Sequence, residues 1–169
     1  LKDPVADRPR IVRAQDTDDH AIARDARAGE AEGFRVPLRA QGGAAGARVL
    51  DIYEKCARGE DGKVKNRHAI TDLELSDPVD LRRMGRLGVV AEIYPQIPTL
   101  YSRKEKVELI ASRVGERGRY YWNRRKMADS GVTISCATDL PLLIDDIPES
   151  MYCACGGYFG PRGEPVYPG

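Results

Sequence analysis

Histidine is nearly absent from this sequence: His20 and His68 are the only two in 169 residues. Hydrolytic metal centres commonly draw about two to four ligands from histidine. A histidine-rich metal site therefore cannot come from this chain alone. Net charge is also missing, with 27 basic residues against 26 acidic and a balance of +1. That leaves no electrostatic case for nucleic acid or an anionic membrane as partner. The basic cluster in Asp80–Gly88 (Arg82, Arg83, Arg86) is interleaved with acidic and apolar residues and reads as a solvated helix face. No apolar run approaches the roughly 20 residues of a membrane span. Lys2–Arg10 carries alternating charge and has no secretory pattern. The four cysteines (Cys56, Cys136, Cys153, Cys155) form no C-x-x-C pair. They are expected to be reduced and mostly buried, in a cytoplasmic protein.

What is present is an alternation of strand-like and helix-like segments in one domain, 1–169. A loose lead-in over 1–10 precedes a helix over Asp16–Glu32, capped by Asp16 or Thr17 and ended by Gly33. A strand follows over Phe34–Ala40, weakened by Pro37, which suits an edge. Ala44–Arg58 is a helix and Val64–Thr71 a second strand. A short helix then runs through the segment SDPVDLRRMGRLG, with Ser76 or Asp77 as cap and Pro78 in its first turn. Val89–Tyr94 is a third strand. Helix is expected around Lys104–Arg113 and over Arg119–Ser130, the second carrying Trp122 on a core stripe. Val132–Ala137 is a fourth strand, too apolar to face water on both sides. Pro148–Cys155 is a short helix, and 156–169 a coil tail. Alternation of this kind predicts an α/β fold of parallel strands, in number half of a (β/α)8 barrel or a small doubly wound sheet. A full barrel needs roughly 250 residues.

The run Gln41-Gly42-Gly43-Ala44-Ala45-Gly46 invites a nucleotide-loop reading. It misses the G-x-G-x-x-G spacing of dinucleotide sites, and it lacks the Lys-Ser/Thr pair of a phosphate loop. A tight turn with close helix packing accounts for it.

Four segments, in order, resemble one large branch of the metal-dependent amidohydrolases, amidohydrolase family 3, which contains N-substituted formamide deformylase-like enzymes. VPLRAQGGAAGARVLDIYE is similar to that branch's H-A-I-G-D-x-A-x-x-x-x-L-D-x-Y-E. NRHAITDLELSDPVDLRRMGRLGV is similar to its R-H-x-I-E-H segment with the later D-x-x-R-x-x-x-L-G-V. AEIYPQIP stands at the next strand end, and YYWNRRKMADSGVTISCATDLPL resembles its final strand with G-S-D-x-P. The resemblance covers nearly all of the chain after its first ten residues. It implies the C-terminal half of a (β/α)8 barrel and a family activity of metal-dependent C–N bond hydrolysis, with zinc as the family's divalent metal.

The departures fall on the chemistry. Arg39 stands where the resemblance implies a metal-binding histidine, and Gly43 where it implies an aspartate. Thr71-Asp72 replaces Glu-His. The implied general base survives as Asp139, beside Thr138. Arginine offers donors only and stays charged, so Arg39 cannot ligate a cation. An Arg39 ion pair with Asp72 and Asp139 would fill the vacated site; the sharper alternative is a fork for a carboxylate or phosphate. Arg39, Asp72, Gln96 and Thr138 are the candidate binding residues and Asp139 the candidate catalytic one. His68 is expected to be packed, and His20 solvent-facing. No metal or other cofactor is predicted for this chain. The expected function is that of a fragment or non-catalytic descendant of the family. The alternative is a small-molecule (anion) binding or assembly module on a doubly wound α/β domain. A homodimer of half-barrels, or a missing N-terminal half, is the expected partner.

Overall fold

The computed structural model describes residues 18–97, 103–139 and 147–156. The expected lead-in over 1–10, and the tail beyond Gly156, lie outside these residues. Helix α1 (Asp19–Ala31) starts at Asp18, whose carboxylate accepts from the His20 N–H at 2.9 Å. The cap is thus Asp18; Asp16 and Thr17 lie outside the described residues. Gly33, at φ +85°, turns the chain out of the helix.

Four strands follow: β1 (Pro37–Arg39), β2 (Ala69–Thr71), β3 (Val90–Ile93) and β4 (Ile134–Cys136). They form one sheet in the order β1-β2-β3-β4, and every pairing is parallel. Pro37 is tolerated because β1 is an outer strand, where its missing N–H breaks no ladder. Helix α2 (Gly43–Tyr53) joins β1 to β2, and α3 (Pro78–Leu87) joins β2 to β3. Helix α4 (Arg103–Val114), a 3-10 helix (Gly115–Tyr120) and α5 (Arg124–Asp129) lie between β3 and β4; α6 (Ile147–Gly156) follows. The fold is α/β, a partial parallel β/α barrel, as the alternation predicts.

Local chemistry explains the boundaries of α3. Asp77 accepts from the Val79 N–H at 3.1 Å, Pro78 occupies the first turn, and Gly88 closes the helix at φ +68°. The apolar face of α3 (Leu81, Met84, Leu87) joins Leu50 and Tyr53 of α2, Ile70 of β2, Val89 and Met127 in one buried cluster. Burial of this kind contributes about 25 cal/mol per Å² of apolar surface.

Four expectations are corrected. The second strand does not begin at Val64. That residue pairs antiparallel with Arg58, and Arg67 takes a left-handed φ of +51°, so the ladder starts only at Ala69. The helix expected over Arg119–Ser130 is broken at Trp122, whose φ of +47° no α-helix accommodates. Trp122 and Tyr121 are only half-buried, not core. Of the cysteines, all free, Cys56 and Cys153 are buried but Cys136 and Cys155 are exposed.

His68 is a fold residue. It precedes β2, is fully buried, and its Nδ1 accepts from the Val36 N–H at 3.1 Å. Burial lowers its pKa, with Glu30 opposing. Unfolded histidine titrates near about 6.5. Below that pH the unfolded chain takes up a proton that the folded chain resists, so His68 makes stability fall as pH drops below about 6.5. In urea melts, His68→Asn should flatten that part of the wild-type profile while lowering stability at pH 8.

The glycines differ in role. A Cβ on Gly85 would land 1.9 Å from the Ser130 carbonyl oxygen, so its absence lets α3 approach the end of α5. A Cβ on Gly46 would meet nothing within 4 Å. Gly46 also borders a small open depression walled largely by Leu50, Ile70, Leu73, Leu75 and Met84. Gly85→Ala should destabilise the protein by about 2 kcal/mol through overpacking. Gly46→Ala should stabilise it by about 1 kcal/mol through helix propensity. Thermal denaturation of the two variants checks both signs.

Candidate functional site at the carboxyl edge of the sheet

Because the strands are parallel and in register, their last residues gather along one edge. Arg39 ends β1 and is paired across the ladder with Thr71, the last residue of β2. Asp72 comes next, at φ +56°. Tyr94 follows β3, and Thr138 and Asp139 lie just past β4, with Asp139 at φ +58°. A left-handed conformation is costly for a residue with a Cβ, and here two aspartates adopt it at the ends of two strands.

Arg39 Nη2 lies 2.5 Å from Asp72 Oδ2. The two ends of this pair differ sharply: the Arg39 side chain is 71 % exposed and that of Asp72 3 %. The arginine thus reaches in from solvent and neutralises a buried carboxylate. Tyr94 is part of the same field. Burial raises the pKa of its phenol first, and Asp139 and Asp72 raise it further against Arg39. Of the two ion pairs expected for Arg39, that with Asp72 is present; among the described residues Asp139 is not paired with Arg39 but acts on Tyr94.

Gln96 is fully buried. Its amide nitrogen donates to the Thr138 carbonyl at 3.0 Å and the Ala137 carbonyl at 3.4 Å. It therefore ties the segment after β3 to the end of β4, and the described contact of Thr138 is through its backbone.

Two residues past Asp72, Glu74 lies half-buried. Asp72, Leu73, Glu74, Tyr94, Ile97 and Trp122 line a shallow surface depression. Burial pushes the Glu74 carboxyl up to about 7, with Asp72 adding to the shift and Lys106, Arg113 and Arg39 opposing it. The Lys106 ammonium lies 5.7 Å from the centre of the Trp122 ring. The Trp122 N–H donates to the Glu74 carbonyl at 2.8 Å, and Tyr121 bridges to Leu75. Glu74, Tyr94, Lys106 and Trp122 were not singled out as site residues from the sequence.

A second titratable group lies elsewhere. Among the described residues, Glu30, Cys56 and His68 bring potential ligand atoms within 4.8 Å of one another. The set does not suit a metal. His68 Nδ1 already accepts the Val36 N–H, so in the neutral ring Nε2 carries the proton, and it lies 3.3 Å from Glu30 Oε1. Burial also pushes the Cys56 thiol up to about 11, against the thiolate a metal needs. At the carboxyl edge, zinc fits no better, because a guanidinium occupies the Asp72 carboxylate.

No protein-family model matches the chain. No curated protein matches it either. Among solved structures, it is similar to an uncharacterized metal-dependent hydrolase from Pyrococcus furiosus, with a TM-score of 0.70 and 21 % identity over 89 % of this chain and 29 % of that one. It is also similar to an uncharacterized metal-dependent hydrolase from Pyrococcus horikoshii OT3, with a TM-score of 0.67 and 20 % identity over 82 % of this chain and 26 % of that one. At such identities the likeness is one of fold. The chain has the parallel β/α fold found in part of these hydrolases and spans less than a third of their length.

Proposed function

We propose that this chain corresponds to the C-terminal part of an amidohydrolase-type barrel, of the formamide deformylase-like branch, whose ligand-binding mouth remains and whose metal centre its own residues do not build. The Arg39–Asp72 pair carries this reading: it occupies the strand ends where the resemblance implies histidine ligands, and places a guanidinium there. With Asp72 neutralised, the exposed guanidinium presents its remaining N–H groups to solvent. That is a fork for the carboxylate of a small molecule. Asp139 holds the strand end that the resemblance gives to the general base. In the family the metal supplies activated water; among the described residues none at this mouth is assigned that supply, and the role proposed for the isolated chain is binding. Sheet edges at β1 and β4 are proposed to meet further β/α units, contributed by a second copy.

Metal analysis of the purified chain should give no stoichiometric zinc. In an NMR titration with propionate, Arg39→Leu should weaken binding about tenfold or more. One retained zinc per chain, or propionate binding indifferent to Arg39→Leu, would refute the proposal.

Glu74 gives this binding a pH dependence. It faces Asp72, Lys106, Arg113 and Arg39, and its pKa near 7 means that a negative charge appears in the mouth as pH rises through neutrality. Propionate affinity should therefore fall between about pH 6 and pH 8, and Glu74→Gln should flatten the profile. The same raised pKa works on stability. Its contribution is fully present below the unfolded pKa of about 4.3 and is lost as pH rises through about 7. Glu74→Gln should accordingly melt above the wild type at pH 8.

A further inference from the structure

We infer that His68 is an acid-operated latch on β1: the neutral ring holds Val36, and a proton added at Nδ1 releases Val36, turns the ring to Glu30 and frees the strand that carries Arg39. A backbone N–H can only donate, so the 3.1 Å bond from Val36 makes Nδ1 an acceptor. Nε2 then carries the neutral ring's proton, and a second proton has only Nδ1 to occupy. There it would set N–H against N–H in a fully buried site, where an unmade hydrogen bond is costly. The alternative partner already lies beside the ring. His68 Nε2 and Glu30 Oε1 are 3.3 Å apart, and both are buried without a hydrogen bond. Glu30 is itself held in place, since its Oε2 accepts from the Ala57 N–H at 2.9 Å. Once freed from Val36, the ring can turn to close the bond to Glu30, and a positive charge makes that bond charge-assisted. One side chain thus has two partners, selected by its charge.

Among the described residues, four elements bring charged or titratable groups to this ring. Helix α1 supplies Glu30. The segment entering β1 supplies Arg35, which is held by Glu92 of β3 at 2.6 Å and by the Arg67 carbonyl at 3.0 Å. Helix α2 supplies Tyr53, with ring centroids 5.1 Å apart, and Cys56 just past it completes the cluster with Glu30. Burial opposes protonation most strongly, Glu30 favours it, and Arg35 opposes it. The latch therefore holds at neutral pH and opens in acid, below the ordinary histidine range near about 6.5. Strand β1 is also the strand such a latch can move. It has three residues, pairs with β2 alone and is exposed at Pro37 and Arg39. Opening it breaks one ladder and leaves β2, β3 and β4 paired. Arg39 would leave Asp72 in the same step, so acid acts on the mouth from the opposite end of the sheet.

NMR of the full chain between about pH 8 and about pH 4 tests the latch. At the upper end the His68 ring should carry its proton on Nε2. With acid, the ring should gain its second proton at a midpoint below about 6.5. At that same midpoint the amides of Val36 and Ala40, bonded to His68 and to the Thr71 carbonyl, should lose hydrogen-exchange protection about tenfold or more, after correction for intrinsic pH dependence. The amides of Ala91 and Ala137, bonded to the Thr133 and Ile93 carbonyls, should keep theirs. His68→Asn keeps an acceptor for the Val36 N–H and removes the titrating group, so it should abolish the acid step. Four results would each overturn the latch: a neutral ring protonated on Nδ1, a ring that stays neutral to about pH 4, a titration that leaves Val36 and Ala40 protected, or loss of protection at all four amides together. The tautomer and exchange data come from the unmodified protein, so they decide the matter even where His68→Asn fails to fold.

Discussion

Both polar groups of one peptide residue, Val36, are held by buried side chains. Its N–H donates to His68 Nδ1, and its carbonyl lies 2.8 Å from the Tyr53 hydroxyl, which is also 2.8 Å from the Ala69 carbonyl. Tyr53 ends α2 and His68 leads into β2, so the two rings, 5.1 Å apart, pin the start of β1 against the start of β2. That grip sets the register in which Pro37 faces Ala69 and Arg39 faces Thr71. A slip of one residue would turn every side chain of β1 to the opposite face and take the guanidinium away from Asp72. The carboxyl edge of the sheet therefore depends on hydrogen bonds made at its other end.

A second node braces the helices. Arg83 contacts Asp51 at 2.6 Å, Glu54 at 3.1 Å and Asp80 at 3.3 Å, linking α3 to α2. Exposed single pairs of this type contribute about 0–1 kcal/mol each, but a shared, largely buried guanidinium also fixes helix orientation. Tyr53, His68, Asp51, Glu54, Asp80 and Arg83 are all positions on which the amidohydrolase resemblance rests, and all of them are scaffold here. The departures, Arg39 and Asp72, lie at the mouth. Those positions hold the sheet and helices together, while the carboxyl edge carries the Arg39–Asp72 pair.

This division also explains what could be read from the sequence. Strand and helix order, the edge position implied by Pro37, the α3 boundaries and the packing of His68 follow from local patterns of two to four residues. Trp122 did not, because its left-handed backbone is stabilised by a partner 48 positions away, the Glu74 carbonyl. Val64 and Arg67 read as strand by composition, yet the Arg58–Val64 bridge diverts them. Gln96 looked like a pocket residue because it follows a strand end; its amide instead closes a bond to the next strand's carbonyls. Glu74 carries no marking in sequence, since its shifted ionisation comes from burial and from Asp72. Local patterns gave the frame, and long-range partners gave the site.

The order of the strands has one more consequence. Each strand pairs with the one before and the one after it in the chain, and no strand is inserted between two earlier ones. Sheet contacts therefore join only successive β/α units, and a growing sheet can add each unit to a finished edge, as stacked-repeat proteins do. Such a topology has no knot to untie when a unit is gained or lost at either end. Duplication, deletion or fusion of whole units would leave the remaining register intact, so ancestry by splicing of sheet segments is mechanically open to this architecture.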